Sequence, residues 1–372
     1  MANEFKPMKF GCGRYIQAPG AMQVVGREAK LLGAKKALIV GGKRALEASG
    51  EIIEKSLKDA EIEPYFYTMT SDCTYETLAY LKDDLIPKIG ADLVIGSGGG
   101  KVMDMAKASG KCSGLPVINA PTSVATFNCF SAMSVMYTED HKPIDRIWHE
   151  TENNAVILDT QILANAPVKL FASGMADAFA KYIETGLMDE AYTLMSTPTG
   201  MYASKVMART TNEIILNKGE KAYRDCINHE VTDEFDACVF AVVATTGIAA
   251  AVNYSNQSLI RGKLGKGATF AHALYYACKK YYTEETSNWL HGEIVGLGCQ
   301  ASMYAYGRSE YEIKNFRRFL EATGQPMSLK ELGIEPTDAE LRKLVTYMMD
   351  VWGKHPEEHW QIMYDSLKHI LE

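Results

Sequence analysis

An α/β N-terminal domain built on a parallel sheet, followed by an all-helical C-terminal domain, is the fold class this sequence predicts. Three observations predict it. Through the first 160 or so residues, short apolar runs alternate with helical stretches; after about Gln161 the strand-like runs stop and helical periodicity continues alone. At 372 residues the chain is also long for one domain. Two domains are expected, 1–160 and 161–372, with the cleft between them as the default place for a site.

The expected strands are Ala37–Val40, Tyr65–Tyr67, Leu93–Ile95, Val117–Asn119, Ser134–Tyr137 and Ala155–Leu158. They are nearly all apolar, as strands covered on both faces should be. Between them, Ile52–Leu57 and Leu78–Ile86 carry apolar residues three and four apart, so strand and helix alternate as in a parallel sheet. In the second half, helices are expected over Ala172–Leu187, Gly200–Leu216, Phe235–Val252, Ala268–Lys280, Glu310–Leu320 and Leu341–Trp352.

Composition narrows the function. Hydrophobic residues make up 47% and charged residues 23%, enough for a sizeable core, and the net charge of -7 offers no basic footprint for nucleic acid or anionic lipid. No stretch reads as long and apolar enough to span a bilayer, and Met1–Phe10 lacks the apolar core of a signal peptide. A cytoplasmic protein is expected, with neither nucleic acid nor membrane as partner. The eight cysteines are scattered from Cys12 to Cys299 without a CxxC pair, which predicts buried reduced thiols and argues against a cysteine zinc site.

Two features carry chemistry. Leu93-Val94-Ile95 runs into Gly96-Ser97-Gly98-Gly99-Gly100-Lys101, and a helical stretch with Met103, Asp104 and Lys107 follows. Strand, glycine turn and helix start suit a phosphate, because the backbone can approach it and free N–H groups can hold it; Lys101 could add a charge. A tight turn would need the same glycines, and the run is neither a GxGxxG fingerprint nor a Walker loop. The second feature is three patches: Gly174–Ala178 around Asp177, followed by Lys181 and Glu184; Phe270–Ala273 around His272; and His291-Gly292-Glu293. One carboxylate and two imidazoles form a standard ligand set for a catalytic divalent metal. A competing pattern, His355-Pro356-Glu357-Glu358-His359, has the H-x-x-E-H spacing of a zinc protease, but Pro356 breaks the continuous helix that chemistry needs.

These motifs together resemble the iron-containing alcohol dehydrogenase superfamily, and within it the glycerol dehydrogenase-like branch. The matching segments are GSGGGKVMDMAK at 96–107, PTSVAT at 121–126, SAMSVMY at 131–137, GMADAFAKYIE at 174–184, FAHAL at 270–274 and HGEIV at 291–295, while 9–40 resembles the family's first hairpin and strand. The resemblance implies a Rossmann-like dinucleotide-binding domain and a helical metal-binding domain, the dehydroquinate synthase-like fold. It implies metal ligation by Asp177, His272 and His291. It places the cofactor's pyrophosphate on Gly98, Gly99, Gly100 and Lys101, with Asp104 near the nicotinamide, and adds cofactor contacts from Thr122, Ser123, Ser131, Val135 and Tyr137. Relatives with four ligands carry a histidine where this chain has Lys181, so the three-ligand, zinc-using pattern is favoured, with Fe²⁺ or Mn²⁺ as alternatives. The implied reaction passes hydride between a nicotinamide and a small alcohol or hydroxy acid activated by the metal, in a protein expected to be a homo-oligomer.

Two positions depart from the family. Glycerol-using members carry an aspartate after the PTxAST segment, where this chain has Phe127 followed by Asn128. A phenyl ring cannot accept a hydroxyl's hydrogen bond, so glycerol becomes doubtful and a 2-hydroxy or 2-oxo acid or a less polar alcohol gains. The acid that often follows the first strand in NAD-preferring relatives is also missing; Gly41-Gly42-Lys43-Arg44 stands there, which permits NADP and makes a preference for it the reading to test. The alternative function is a sugar-phosphate cyclase of the dehydroquinate synthase-like kind, using the nicotinamide transiently. Its phosphate would need cations such as Lys181, Arg261, Lys263 and Lys266.

Overall fold

The computed structural model describes residues 9–186, 199–252, 270–352 and 358–372. Internal contacts divide the chain into two compact units, Lys9–Phe171 with Arg224–Gly247, and Ala172–Tyr223 with Ile248–Glu372. Arg224–Gly247, from the second half of the sequence, therefore groups with the N-terminal unit.

The first unit is a six-stranded sheet of β1 (Arg14–Ala18), β2 (Lys36–Gly41), β3 (Glu63–Thr68), β4 (Leu93–Gly98), β5 (Val117–Pro121) and β8 (Ala155–Asp159). The order is β1-β8-β5-β4-β2-β3 and every pairing is parallel. Its helices are α1 (Val25–Leu31), α2 (Lys43–Asp59), α3 (75–89), α4 (Gly100–Cys112) and α5 (Thr160–Ala164). The inner strands β2, β4, β5 and β8 are largely apolar because both faces are covered. Ala37, Ile39, Leu93 and Ile95 pack on one side with Val25, Ile53 and Leu57. Leu38, Val40 and Val94 pack on the other with Leu81, Met105 and Ala106. Asp159 ends β8 and accepts N–H bonds from Gly20 (2.9 Å), Gln161 (3.2 Å) and Ile162 (3.4 Å), capping α5 and fixing the turn after β1.

Four expectations need correction. The opening segment forms no hairpin among the described residues: β1 pairs with β8, far along the chain, in parallel register. Met133–Tyr137 (β6) does not join the sheet. It pairs antiparallel with β7 (Pro143–Trp148), a strand whose proline, Asp145 and Arg146 hide it from an apolar pattern because it is largely exposed. The strand around Tyr65–Tyr67 is a half-exposed edge, so its apolar run does not signal burial on both sides. Asp233–Val252 is long and apolar enough to cross a membrane, contrary to expectation, but 72% of that window is buried inside the protein.

The remaining helices are α6 (Val168–Gly186), α7 (Thr199–Ile227), α8 (Asp233–Val252), α9 (Phe270–Tyr281), α10 (His291–Ala305), α11 (Glu310–Ala322), α12 (Asp338–Trp352) and α13 (Glu358–Lys368). The helical unit's core joins Phe270 and Leu274 of α9 to Ile294 and Leu297 of α10, Leu344 and Met348 of α12, and Leu367 of α13. His355–Glu357 of the protease-like pattern, and Arg261, Lys263 and Lys266, lie outside the described residues. All eight cysteines are free and six are buried, as their scatter predicted.

Candidate active site: a metal centre and a glycine loop

Three helices bring Asp177 (α6), His272 (α9) and His291, the first residue of α10, to one point. Their ligand atoms all lie within 4.8 Å of one another. Asp177 Oδ1 is 3.4 Å from His272 Nε2 and 3.3 Å from His291 Nε2. These separations are long for hydrogen bonds, and Oδ1 is buried without a hydrogen-bond partner. An orphaned buried oxygen facing two imidazole nitrogens is costly unless a cation occupies the gap. Tetrahedral ligands ~2.1 Å from zinc lie about 3.4 Å apart, which matches the spacing found. Burial alone would push the Asp177 carboxyl up; the two imidazoles beside it outweigh that and hold it far below the ordinary carboxylate range, in the form a metal needs. Side-chain exposure rises from 5% at Asp177 to 32% at His291, so the cluster is open on its imidazole side.

Glycines seat these helices. A Cβ on Gly292 would lie 1.8 Å from the Ser173 carbonyl oxygen of α6, and one on Gly298 would lie 2.6 Å from the Ala271 carbonyl oxygen of α9. Helix α10 thus meets both partner helices backbone to backbone. Gly292 N–H donates to Ser173 Oγ at 3.0 Å, and the Glu293 carboxylate accepts the Leu290 N–H at 2.7 Å, which anchors the turn that carries His291. The Tyr275 ring packs edge-on against His291, centroids 4.3 Å apart, and limits its swing. The motif around His291 shows a glycine in a first helical turn, where helix propensity disfavours it; that signal of a close approach was legible, but its partner Ser173 was not.

Of the candidate cofactor residues, Gly41-Gly42, Gly98–Gly100 and Thr122-Ser123 lie at the carboxyl ends of β2, β4 and β5 in the first unit. The chain leaves β2 for β3 on one side and later leaves β4 for β5 on the other, so the strand order reverses between β2 and β4. That switch point is where open parallel sheets receive ligands. Gly41 is in register with Ser97, and Gly98 with Pro121. Gly41-Gly42, Gly98–Gly100 and Thr122-Ser123 therefore share one rim, with Thr122 N–H bonded to Gly98 O at 3.0 Å. Gly99 caps α4 in extended geometry without a side-chain cap, leaving first-turn N–H groups for an anion. A Cβ on Gly100 would sit 3.2 Å from Asn128 Nδ2. Lys101 does not turn into the loop: its Nζ pairs with Asp72 Oδ2 at 2.6 Å and lies 4.9 Å from the Tyr137 ring centroid. Asp72 also takes His141 Nδ1 at 2.8 Å. No pattern in the irregular Ser71–Thr74 stretch marked it.

The segment between β5 and β6 crosses beneath this rim. Phe127 is buried, at 7% exposure, so its ring packs more than it lines. Asn128 Nδ2 donates to Asp104 Oδ2 at 3.0 Å. Ser131 Oγ lies 3.1 Å from the buried Lys107 Nζ, so it faces inward, and Val135 is half-buried on β6. Ser134 Oγ donates to Asp104 O at 2.7 Å and therefore accepts from His149 Nε2 at 2.8 Å, which places the proton of a neutral imidazole on Nε2.

Burial, helped by Lys107, Lys111 and Lys9, lowers His149 to about 3. Between that value and its ordinary 6.5 the unfolded chain binds a proton that the folded chain refuses. Stability from this group is full above pH 6.5 and falls as pH drops towards 3. Wild-type protein is expected to lose about 2 kcal/mol through this group between pH 7 and pH 5. Urea unfolding at both values checks it: His149→Gln should lose correspondingly less, and equal losses would remove the assignment.

The family model described as iron-containing alcohol dehydrogenase matches residues 12–160. Glycerol dehydrogenase of Citrobacter freundii is 29% identical over 87% of this chain and 84% of its own length. Glycolaldehyde reductase of Halobacterium salinarum is 26% identical over 86% of this chain and 83% of its own. The crystal structure of glycerol dehydrogenase from Schizosaccharomyces pombe has the same fold, with a TM-score of 0.83 at 21% identity over 99% of this chain and 91% of that one.

Proposed function

We propose that this chain is a metal-dependent NAD(P)-linked dehydrogenase of the iron-containing alcohol dehydrogenase superfamily, in its glycerol dehydrogenase-like branch, that Asp177, His272 and His291 hold its metal and that the β2–β4 rim holds its cofactor. The observation that carries the reading is the convergence of three metal-ligating atoms on an orphaned buried carboxylate oxygen, in a chain that also has a glycine cradle at a sheet switch point.

A divalent cation bound there supplies Lewis acidity towards an alcohol or carbonyl oxygen. The chain's own residues do the rest. The carboxylate and two imidazoles offer three donors and leave the imidazole side open to a small substrate. Gly98, Gly99 and Gly100 let backbone N–H groups approach the pyrophosphate, Thr122 and Ser123 close the rim, and Asp104 holds Asn128 against Gly100. Zinc is the favoured ion because the set has three ligands and no fourth histidine at Lys181. The proposed substrates are small alcohols, polyols or 2-hydroxy acids with their carbonyl partners, the class to which the named relatives' substrates belong. Phe127 in place of an aspartate favours the acids and less polar alcohols.

The test is oxidation of NADPH and NADH against 2-oxo acids, dihydroxyacetone and simple ketones, before and after chelation and with Zn²⁺ restored. Metal-dependent oxidation supports the reading; none with any carbonyl, in folded protein that binds cofactor, would sink it.

The proposed cofactor preference is NADP. Lys43 and Arg44 occupy the first turn of α2 at the switch point, exposed, with no ion-pair partner among the described residues. Two cations at a helix N-terminus are unfavourable unless an anion joins them. The double substitution Lys43→Ala/Arg44→Ala is expected to raise KM for NADPH about tenfold while leaving KM for NADH within about twofold. Equal changes for both cofactors would assign the pair to the surface.

A further inference from the structure

Among the fully buried large side chains of the described residues is a lysine, Lys107. Its ammonium has three protons and four acceptors around it: Asn128 O at 2.7 Å, Ser131 Oγ at 3.1 Å, Met133 O, and Asp104 Oδ1 at 2.9 Å. It therefore has no donor to spare for a ligand. Two of the four acceptors, Asn128 O and Ser131 Oγ, belong to the segment that carries Phe127 and Asn128, and a third, Met133 O, opens β6. The Phe127–Asn128 segment is also held by Asn119 Nδ2 and Asn153 Nδ2 on Cys129 O at 2.8 and 3.0 Å and by the His149 N–H on Ala132 O at 3.0 Å. The fourth acceptor is a carboxylate as buried as the lysine.

We propose that Lys107 is a positioning residue that, by neutralising Asp104, decides which atom of the Asn128 side chain is left for a ligand. An ionised Asp104 can only accept, so it takes a proton of Asn128 Nδ2, the atom nearest Gly100, and leaves Oδ1 as the amide's free acceptor. Burial pushes the Asp104 carboxyl up, and the Lys107 ammonium is the main charge pulling against it. Without the ammonium, the carboxyl keeps its proton, becomes a donor, and takes Asn128 Oδ1 instead. The amide then turns and leaves NH₂, the opposite polarity, as its free end.

This inference rests on the dehydrogenase reading, which the wild-type assay above tests by itself. The variants are Lys107→Met, which keeps length and apolar volume, and Asp104→Asn alone and combined with Lys107→Met. An amide at 104 has an oxygen that accepts from Asn128 Nδ2 whether or not the ammonium is present. Lys107→Met is expected to lower kcat/KM about 100-fold. Adding Asp104→Asn should recover at least about tenfold of that, a reversal that lost packing alone would not produce. The same order is expected in the Kd for NADPH, read by fluorescence without substrate, so the variants can be ranked even if the carbonyl panel fails. Full activity in folded Lys107→Met overturns the proposal. So does a double variant no better than Lys107→Met. If Lys107→Met does not fold, the double variant should fold and stay within about threefold of Asp104→Asn; a larger deficit overturns the proposal.

Discussion

Asp177→Ala is expected to lower metal-dependent activity by at least about 10³-fold, because a Lewis acid contributes several kcal/mol to the barrier and the site has three ligands to lose from. The substitution removes the only anion of the set and leaves two imidazoles without the charge that draws a cation to them. A thermal readout separates this from misfolding. Wild-type protein should melt lower after chelation and recover when Zn²⁺ is added, since an ion that binds only the folded state stabilises it by mass action. The alanine variant should melt at one temperature in all three conditions. If its melting temperature still rises with Zn²⁺ as the wild type's does, the ion binds elsewhere and the three-residue centre is wrong.

The second large effect is expected at Gly292. Alanine there gains roughly 1 kcal/mol of helix propensity, yet its Cβ would stand 1.8 Å from a backbone carbonyl that cannot rotate away. Overpacking costs about 1–3 kcal/mol where side chains can yield, so against backbone the net effect is destabilisation at the upper end or beyond. Because α10 must retreat from α6 to make room, His291 should move off Asp177, and zinc affinity should fall together with stability. Gly50, inside α2, is the comparison: a Cβ there meets nothing nearer than 3.8 Å. Gly50→Ala is expected to stabilise by up to about 1 kcal/mol. Chemical denaturation and zinc titration of both variants give opposite signs if close helix approach is the cause. Equal effects would mean that helix propensity alone governs both positions.

Much of the fold was legible because it is written locally. Leu93–Ile95 is apolar on both faces since helices cover both, and that doubled burial shows directly as a continuous run. β1 and β7 escaped for the complementary reason. β1 gains its place from pairing with β8, a contact with no local trace, and β7 is exposed and polar, so burial never shaped its sequence. The alternate apolar residues of Ser134–Tyr137 signalled a strand correctly but could not say which partner it pairs with.

The candidate site divides in the same way. Glycine after a strand, and histidine or aspartate in short distinctive motifs, are demands of chemistry on particular residues, and they are readable one motif at a time. Sequence alone therefore pointed to the candidate donor set, the candidate glycine cradle and the missing acid after β2. Only the tertiary structure decided that Lys101 is held by Asp72, that Phe127 packs inward, that Lys107 lies buried under Asp104 and Asn128, and that Gly292 exists for the Ser173 carbonyl. A charged side chain looks the same in sequence whether water or four buried acceptors surround it; which it meets depends on strand order and on how closely helices pack, and both are set by contacts between distant parts of the chain.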